Sequence, residues 1–397
     1  MNASAHGGLT LYLQLSLLAL AGPLYIDVLP AMIAALSGDV GLTPQQAGAV
    51  ASANGYASTV SALLAVVVLR RLPWRAASAV LLTALIICDA ASSILRDFHS
   101  LLIVRIVHGL AGGLLVGLSY GLIARTASRS KAFGILFILH FGFAGIGVAL
   151  STALGHYLGA GTIFMITGAF SLLAMTSVAT LPDLPIRTAA VGAFSNPFAA
   201  WRGRSRGIIA ASCGLFVFQA CNIGLGAFLI GIGRQLGHSA DFAGLLVGGG
   251  LFAGAFGSFA MLLLTRRYSK MAIALGGLVA TACVKFLLFH GSDPVLYAVA
   301  VIGSYFAMSC AIPLLYALIA EFDSSGEAAA LSGFASKFGL SCGPLAGAFI
   351  YGAGFHWLVA ASIGGTFVAV ALIIYAFGSA KRFAEKTSLR SAMDGAV

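Results

Sequence analysis

The chain has 397 residues, of which 60% are hydrophobic and only 9% charged, with 50 glycines and a formal net charge of +10. Such a composition lies far outside that of a water-soluble domain of this length, so the solvent it calls for is lipid. Membrane strands are excluded too, because no alternating ten-residue pattern appears and a lipid core leaves unpaired backbone groups nowhere to go.

Twelve predominantly apolar segments follow in chain order, at 9–36, 46–69, 76–95, 100–124, 132–154, 161–181, 207–232, 241–265, 271–290, 295–320, 330–352 and 357–379. Each is about 20 residues or longer, enough for a helix to cross a hydrocarbon core of ~30 Å. The first is not preceded by a basic n-region and is too long for a signal-peptide core, so it is expected to remain as an uncleaved span. Between segments 6 and 7 the stretch Pro182 to Arg206 holds Pro185, Pro197, Asn196 and four arginines, and reads as a linker. The expected organisation is therefore an N-terminal half at 1–181, a linker at 182–206, a C-terminal half at 207–379 and a tail at 380–397.

An internal repeat supports the division. Leu69-Arg70-Arg71, closing segment 2, recurs as Thr265-Arg266-Arg267 at the end of segment 8, an offset of 196 residues. The same offset carries Asp89 of segment 3 onto Lys285 of segment 9. Two six-helix halves in parallel repeat make an architecture in which solute binds near the midplane, between the halves.

Charge predicts orientation. An even number of spans puts both termini on one side, and if that side is cytoplasmic, 17 of the 22 Lys and Arg residues fall on inner loops and the tail, against Arg96 and Arg234 outside. The positive charge is thus a topology signal and not a nucleic-acid footprint. All six cysteines lie within apolar segments without Cys-x-x-Cys spacing, as small buried thiols do. No phosphate-cradling loop, paired catalytic carboxylates, metal-ligand spacing or nucleophile motif is present, so neither an enzyme nor a bound cofactor is expected.

Several residues then carry a resemblance. Arg105-Ile-Val-His108-Gly109-Leu-Ala-Gly112-Gly113 in segment 4 is similar to the Arg-x-x-x-Gly-x-x-x-Gly pattern of the major facilitator superfamily. Tyr25-Ile-Asp27-Val-Leu-Pro30 resembles the Asp-containing first-helix signature of its twelve-helix drug/proton antiporters, and Gly339, Gly343, Pro344 and Gly347 resemble a Gly-Pro motif those antiporters carry in helix 5. The loop Leu69 to Arg75 keeps the family's basic residues but lacks its Asp and glycines, and segment 5 has no Gly-Pro. The resemblance spans nearly the whole chain. It implies an all-α fold of twelve transmembrane helices in two pseudo-symmetric halves, a functional monomer, peripheral positions for segments 3 and 9, and proton-coupled export of a drug or metabolite across a bacterial-type inner membrane.

Ionisable and amide side chains inside the segments mark candidate sites, since a charge at mid-membrane is costly and faces a cavity or a partner. Asp27 and Arg105 lie at similar depth, and a salt bridge between them in competition with a proton or solute is the expected coupling device, with His108 one turn from Arg105 as relay. The alternative is a static pair pinning segment 1 to segment 4. His140, Gln219, Asn222, Asn54 and Tyr56 either bind solute or hydrogen-bond neighbouring helices. Lys337 either holds an anionic solute or snorkels to the interface. Asp89 and Lys285 read as structural. Arg70, Arg71, Arg266 and Arg267 are expected to gate, while Glu321 and Glu327 are opposite in charge to the equivalent loop of Arg125, Arg129 and Lys131 and would latch the halves together. Uptake of an organic acid or nutrient is the alternative function, with Arg105, His108 and Lys337 recognising the anion.

Overall fold

The computed structural model describes residues 8–68, 73–123, 126, 129–181, 205–322 and 327–394. Secondary structure among them is helical throughout, in twelve successive rods. Rod α1 is built of three pieces, Leu9–Leu20, Leu24–Asp27 and Leu29–Gly38. It is followed by α2 (Pro44–Val68), α3 (Trp74–Ile94), α4 (Phe98–Ile123), α5 (Arg129–Leu158) and α6 (Thr162–Thr180). The second half has α7 in two pieces, Ser205–Gly226 and Leu229–Gln235, then α8 (Ala240–Leu264), α9 (Lys270–Phe286), α10 (Pro294–Ala320), α11 (Glu327–Gly352) and α12 (Phe355–Asp394). The expected linker lies outside the described residues apart from its last two, which begin α7. The expected tail is largely a continuation of α12, which runs for 40 residues.

Nine helices among the described residues are long and apolar enough to cross a membrane. The remaining rods are α1, which is broken, and α2 and α11, which are long enough at 25 and 26 residues but richer in Gly, Ala and Ser. Those two pack on each other between the halves, where lipid does not set the composition.

The 196-residue offset is a structural register. Rods α2, α3 and α4 begin at Pro44, Trp74 and Phe98, and α8, α9 and α10 begin at Ala240, Lys270 and Pro294, each 196 residues later. Their start signals match as well. Thr43 and Ser239 cap α2 and α8 by accepting the backbone N–H of Gln46 and Phe242, both at 3.2 Å. Asp97 and Asp293 do the same for α4 and α10, accepting from Ser100 at 2.8 Å and from Val295 at 2.8 Å. The Ser100 N–H holds the Asp97 carboxyl below the usual carboxylate range. Gly41 and Gly237, also register mates, adopt φ of 80° and 92°, a left-handed conformation that side chains with a Cβ resist.

Both first rods of the halves are interrupted. In α1 the turn at Gly22-Pro23 and the residue Val28 separate the pieces, and Pro30 starts the last piece because its ring excludes a continuous bond to the carbonyl one turn back. In α7 the break falls at Ala227-Phe228. Within each half, glycine lets backbones touch: Gly22 lies against the Gly112 carbonyl, and Gly224 against Gly343 and Gly347, with no room for a Cβ. Close approach of this kind substitutes for the hydrophobic drive that lipid removes.

The halves meet mainly toward the face opposite the termini, here called the distal face. On one side Gly48 packs on Pro344 and Ala348, Gly55 packs on Ser341, Ser52 Oγ accepts the Leu345 N–H at 3.0 Å, and Thr59 and Ser341 hydroxyls lie 3.1 Å apart. On the other, Gly145 packs on Gly248 and Phe252, and Gly244 packs on Thr152. These contacts occupy the distal part of α2, α5, α8 and α11. Two hollows of about 520 and 580 Å³ remain on the distal face on either side of the α1 end, and Arg234 lines both.

Candidate functional site

Asp27 is the last residue of the short middle piece of α1, so its carboxyl leaves the rod where the helix is interrupted. Its Oδ2 lies 2.9 Å from Nε2 of His140 in α5, and the two side chains are only 13% and 20% exposed. The Asp27 carboxylate also acts electrostatically on the hydroxyls of Tyr25, Tyr120 in α4 and Tyr305 in α10. Tyr305 belongs to the other half, and Gly250 of α8 leaves the space its ring fills. A carboxylate and an imidazole in contact, at a helix break, on the surface that one half turns toward the other, make a unit able to take up and release a proton.

Arg105 is elsewhere. Its Nη2 donates to Asp89 Oδ1 at 2.6 Å, and Nε and Nη2 both donate to Ser92 Oγ at 3.1 Å. Its guanidinium lies over the Phe164 ring of α6, 4.6 Å from the centroid. The expected Asp27–Arg105 salt bridge is therefore corrected: Arg105 pairs with Asp89 and Asp27 with His140. The reason is local topology. Rods α3 and α4 form a hairpin through the short 95–97 turn, and Asp89 and Arg105 lie at similar distances from it, so the acid adjacent in space is the one on the hairpin partner. That symmetry about the turn is the sequence signal that identifies the pair.

His108 extends the same cluster. Its Nε2 is 3.5 Å from Asp89 Oδ1, and its Nδ1 is 3.0 Å from the Asn54 amide of α2. With the Asn54 amide donating, Nδ1 accepts and the ring proton resides on Nε2, facing the carboxylate. Asn54, Asp89, Arg105 and His108 are all at most 2% exposed. Asn54 thereby joins a network tying α2, α3 and α4 together, and the Tyr25 and His108 rings meet edge-on with centroids 6.1 Å apart.

In the second half Gln219 Nε2 donates to Ser336 Oγ at 2.8 Å, joining α7 to α11. Asn222 Nδ2 donates to the Met308 thioether at 2.7 Å and lines a small cavity with Lys285 and Tyr305. Tyr56 meets Phe338 across the halves, with ring centroids 5.8 Å apart, and Lys337 beside it is half-buried. Lys285 of α9 is 1% exposed, and its Nζ donates to Ser362 Oγ of α12 at 3.0 Å.

Of the expected gating residues, Arg70 and Arg71 and the side chain of Glu327 lie outside the described residues. Arg266 and Arg267 are exposed at the end of α8. Glu321 Oε1 accepts from Lys270 Nζ at 2.6 Å, and both side chains are more than half exposed. Glu321 thus pairs within its own half, because α9 starts where α10 ends, while Arg125 and the side chains of Arg129 and Lys131, which the latch would engage, lie outside the described residues. No group of three or more His, Cys, Asp or Glu able to hold a metal occurs among the described residues.

Residues 18–376 match the protein family described as "Uncharacterised MFS-type transporter YbfB". No curated protein matches the chain. Among solved structures, the nucleoside transporter NupG superposes with a TM-score of 0.75 at 16% identity, over 94% of this chain and 99% of that one. A D-xylose-proton symporter superposes with a TM-score of 0.72 at 16% identity, over 93% and 96%. At such identities the likeness is one of fold.

Proposed function

Since the chain belongs to this family of MFS-type transporters, we propose that it carries a small organic solute by alternating access and couples that movement to protons through Asp27 and His140. The observation behind the reading is the 2.9 Å contact between those two side chains at the break in α1. In the distally closed arrangement described above, the pair sits beneath the seal made by α2–α11 and α5–α8. A rocking of the halves that opens the seal exposes the pair to the opposite bulk phase, and a protonation difference between the two arrangements couples the gradient to solute.

Tyr56, Phe338, Lys337 and Asn222 are proposed to line the solute path, because each projects from α2, α11 or α7, the rods that meet between the halves. Arg105, Asp89, His108 and Asn54 are proposed to hold the first half rigid, because with Ser92 they link α2, α3 and α4 through buried polar contacts. The arginine-rich loops support an inner-membrane orientation with both termini cytoplasmic, and the family resemblance supports a functional monomer.

Export is the proposed direction, on the likeness of Tyr25 to Pro30 and Arg105 to Gly113 to exporter signatures. Uptake is the second reading, favoured by the fold shared with a D-xylose-proton symporter. Flux into and out of proteoliposomes under an imposed pH gradient, with wild-type protein and with Asp27→Asn, tests both. Gradient-driven flux that survives Asp27→Asn removes the coupling assignment, and the sign of the gradient that accelerates solute efflux decides the direction.

A further inference from the structure

Lys285 is a buried basic side chain on α9. Its side chain is 1% exposed, and its Nζ donates to Ser362 Oγ at 3.0 Å, while that hydroxyl donates onward to the Cys221 carbonyl at 2.9 Å. No carboxylate lies within salt-bridge range of it among the described residues. Of the three N–H groups an ammonium carries, one is used here, and a bare cation in a low-dielectric interior is among the costliest groups a fold can hold.

The repeat shows what a self-contained solution looks like. In the first half the equivalent position is Asp89, neutralised by Arg105. The register mate of Arg105 is Val301, fully buried and apolar. The second half therefore keeps a buried charge at the same place in the fold, reverses its sign and replaces the counter-ion with valine. Packing of α9 against α10 needs no charge there.

Next to Lys285 is a cavity of about 50 Å³, walled also by Asn222, Ser304, Tyr305 and Met308. That is room for a carboxylate head, given about 30 Å³ for one liquid water. Two of its groups have donor capacity to spare: the Lys285 ammonium, with one bond to Ser362, and the Asn222 amide, held by a thioether, a weak acceptor. Tyr305, whose ring fills the space left by Gly250 of α8, forms part of the cavity wall.

We infer that the transported solute bears a carboxylate, and that Lys285 with Asn222 receives it in this cavity. The inference rests on the reading of this chain as a proton-coupled solute carrier and names the solute class.

The test uses full-length protein in detergent, with propionate, succinate and benzoate as probes against propionamide, succinamide and benzamide. Apparent Tm is followed against concentration. The expected result is stabilisation by at least one carboxylate and by no amide, a midpoint at least about tenfold weaker in Lys285→Gln, and retention in Lys285→Arg. Stabilisation by amides equal to that by acids, no stabilisation by any acid, or an unchanged midpoint in Lys285→Gln overturns the inference. If Lys285→Gln does not fold, the acid-against-amide comparison in wild-type protein decides alone. Proteoliposome flux of the best acid separates the two readings: carboxylate binding through Lys285 without gradient-driven flux defeats proton coupling and leaves the inference standing. Gradient-driven flux of a neutral amide, undiminished in Lys285→Gln, does the reverse.

Discussion

His140 Nε2 and Asp27 Oδ2 are 2.9 Å apart, so the break in α1 is bridged to the middle of α5 by an imidazole in contact with a carboxylate. Asp27→Asn keeps the shape and removes the titration. It is expected to reduce pH-gradient-driven flux at least about tenfold, while exchange of labelled for unlabelled solute across a proteoliposome membrane persists. His140→Gln is expected to behave alike. Loss of exchange and driven flux together in both variants would mean that the pair holds structure and not protons.

The Asp89–Arg105 pair makes the opposite prediction, because it is fully enclosed. Removing one partner leaves a buried charge unpaired, at a cost of about 3–5 kcal/mol, whereas replacing both with leucine removes the problem. Asp89→Asn and Arg105→Leu should each lower the thermal midpoint in detergent sharply, and the double Asp89→Leu, Arg105→Leu variant should recover most of it. A double variant no better than the singles would argue for a functional charge at that site.

Thr59 and Ser341 present hydroxyls 3.1 Å apart across the distal seal, near enough for sulfurs to bond if both become cysteine. In a background without the six native cysteines, oxidised Thr59→Cys, Ser341→Cys protein should stop transporting and recover on reduction. Transport at the uncrosslinked rate by oxidised protein would show that this seam does not open during the cycle.

Glu321→Lys should do little. Its bond to Lys270 is exposed and within one half, and pairs of that kind contribute about 0–1 kcal/mol. Cysteine-accessibility labelling on the two faces is expected to be unchanged, and a shifted balance would restore Glu321 as a latch.

The helical rods and the 196-residue offset between their starts were legible because apolar length and duplication are one-dimensional signals. The partners of Asp27 and Arg105 were not. Pairing depends on how each rod is rotated about its axis, and rods that are apolar all round give no stripe from which to read that rotation. The 95–97 hairpin turn was the exception, since it alone puts Asp89 beside Arg105. The burial of the Lys285 side chain was not legible for a related reason. A peripheral rod suggests a peripheral side chain, but lysine is long enough to cross between α7 and α10 and end in the interior.

The shared register makes the protein its own homologue. From α2 to α4 and from α8 to α10 the two halves can be written as two rows without a gap, a comparison built into one chain. Columns that govern folding agree, as with Thr43 over Ser239, Gly41 over Gly237 and Asp97 over Asp293. Columns that hold buried charge disagree, as with Asp89 over Lys285 and Arg105 over Val301. The halves are parallel repeats, so each mismatched column marks chemistry that one half does and the other does not, and those columns are where to look for the groups that handle solute and proton.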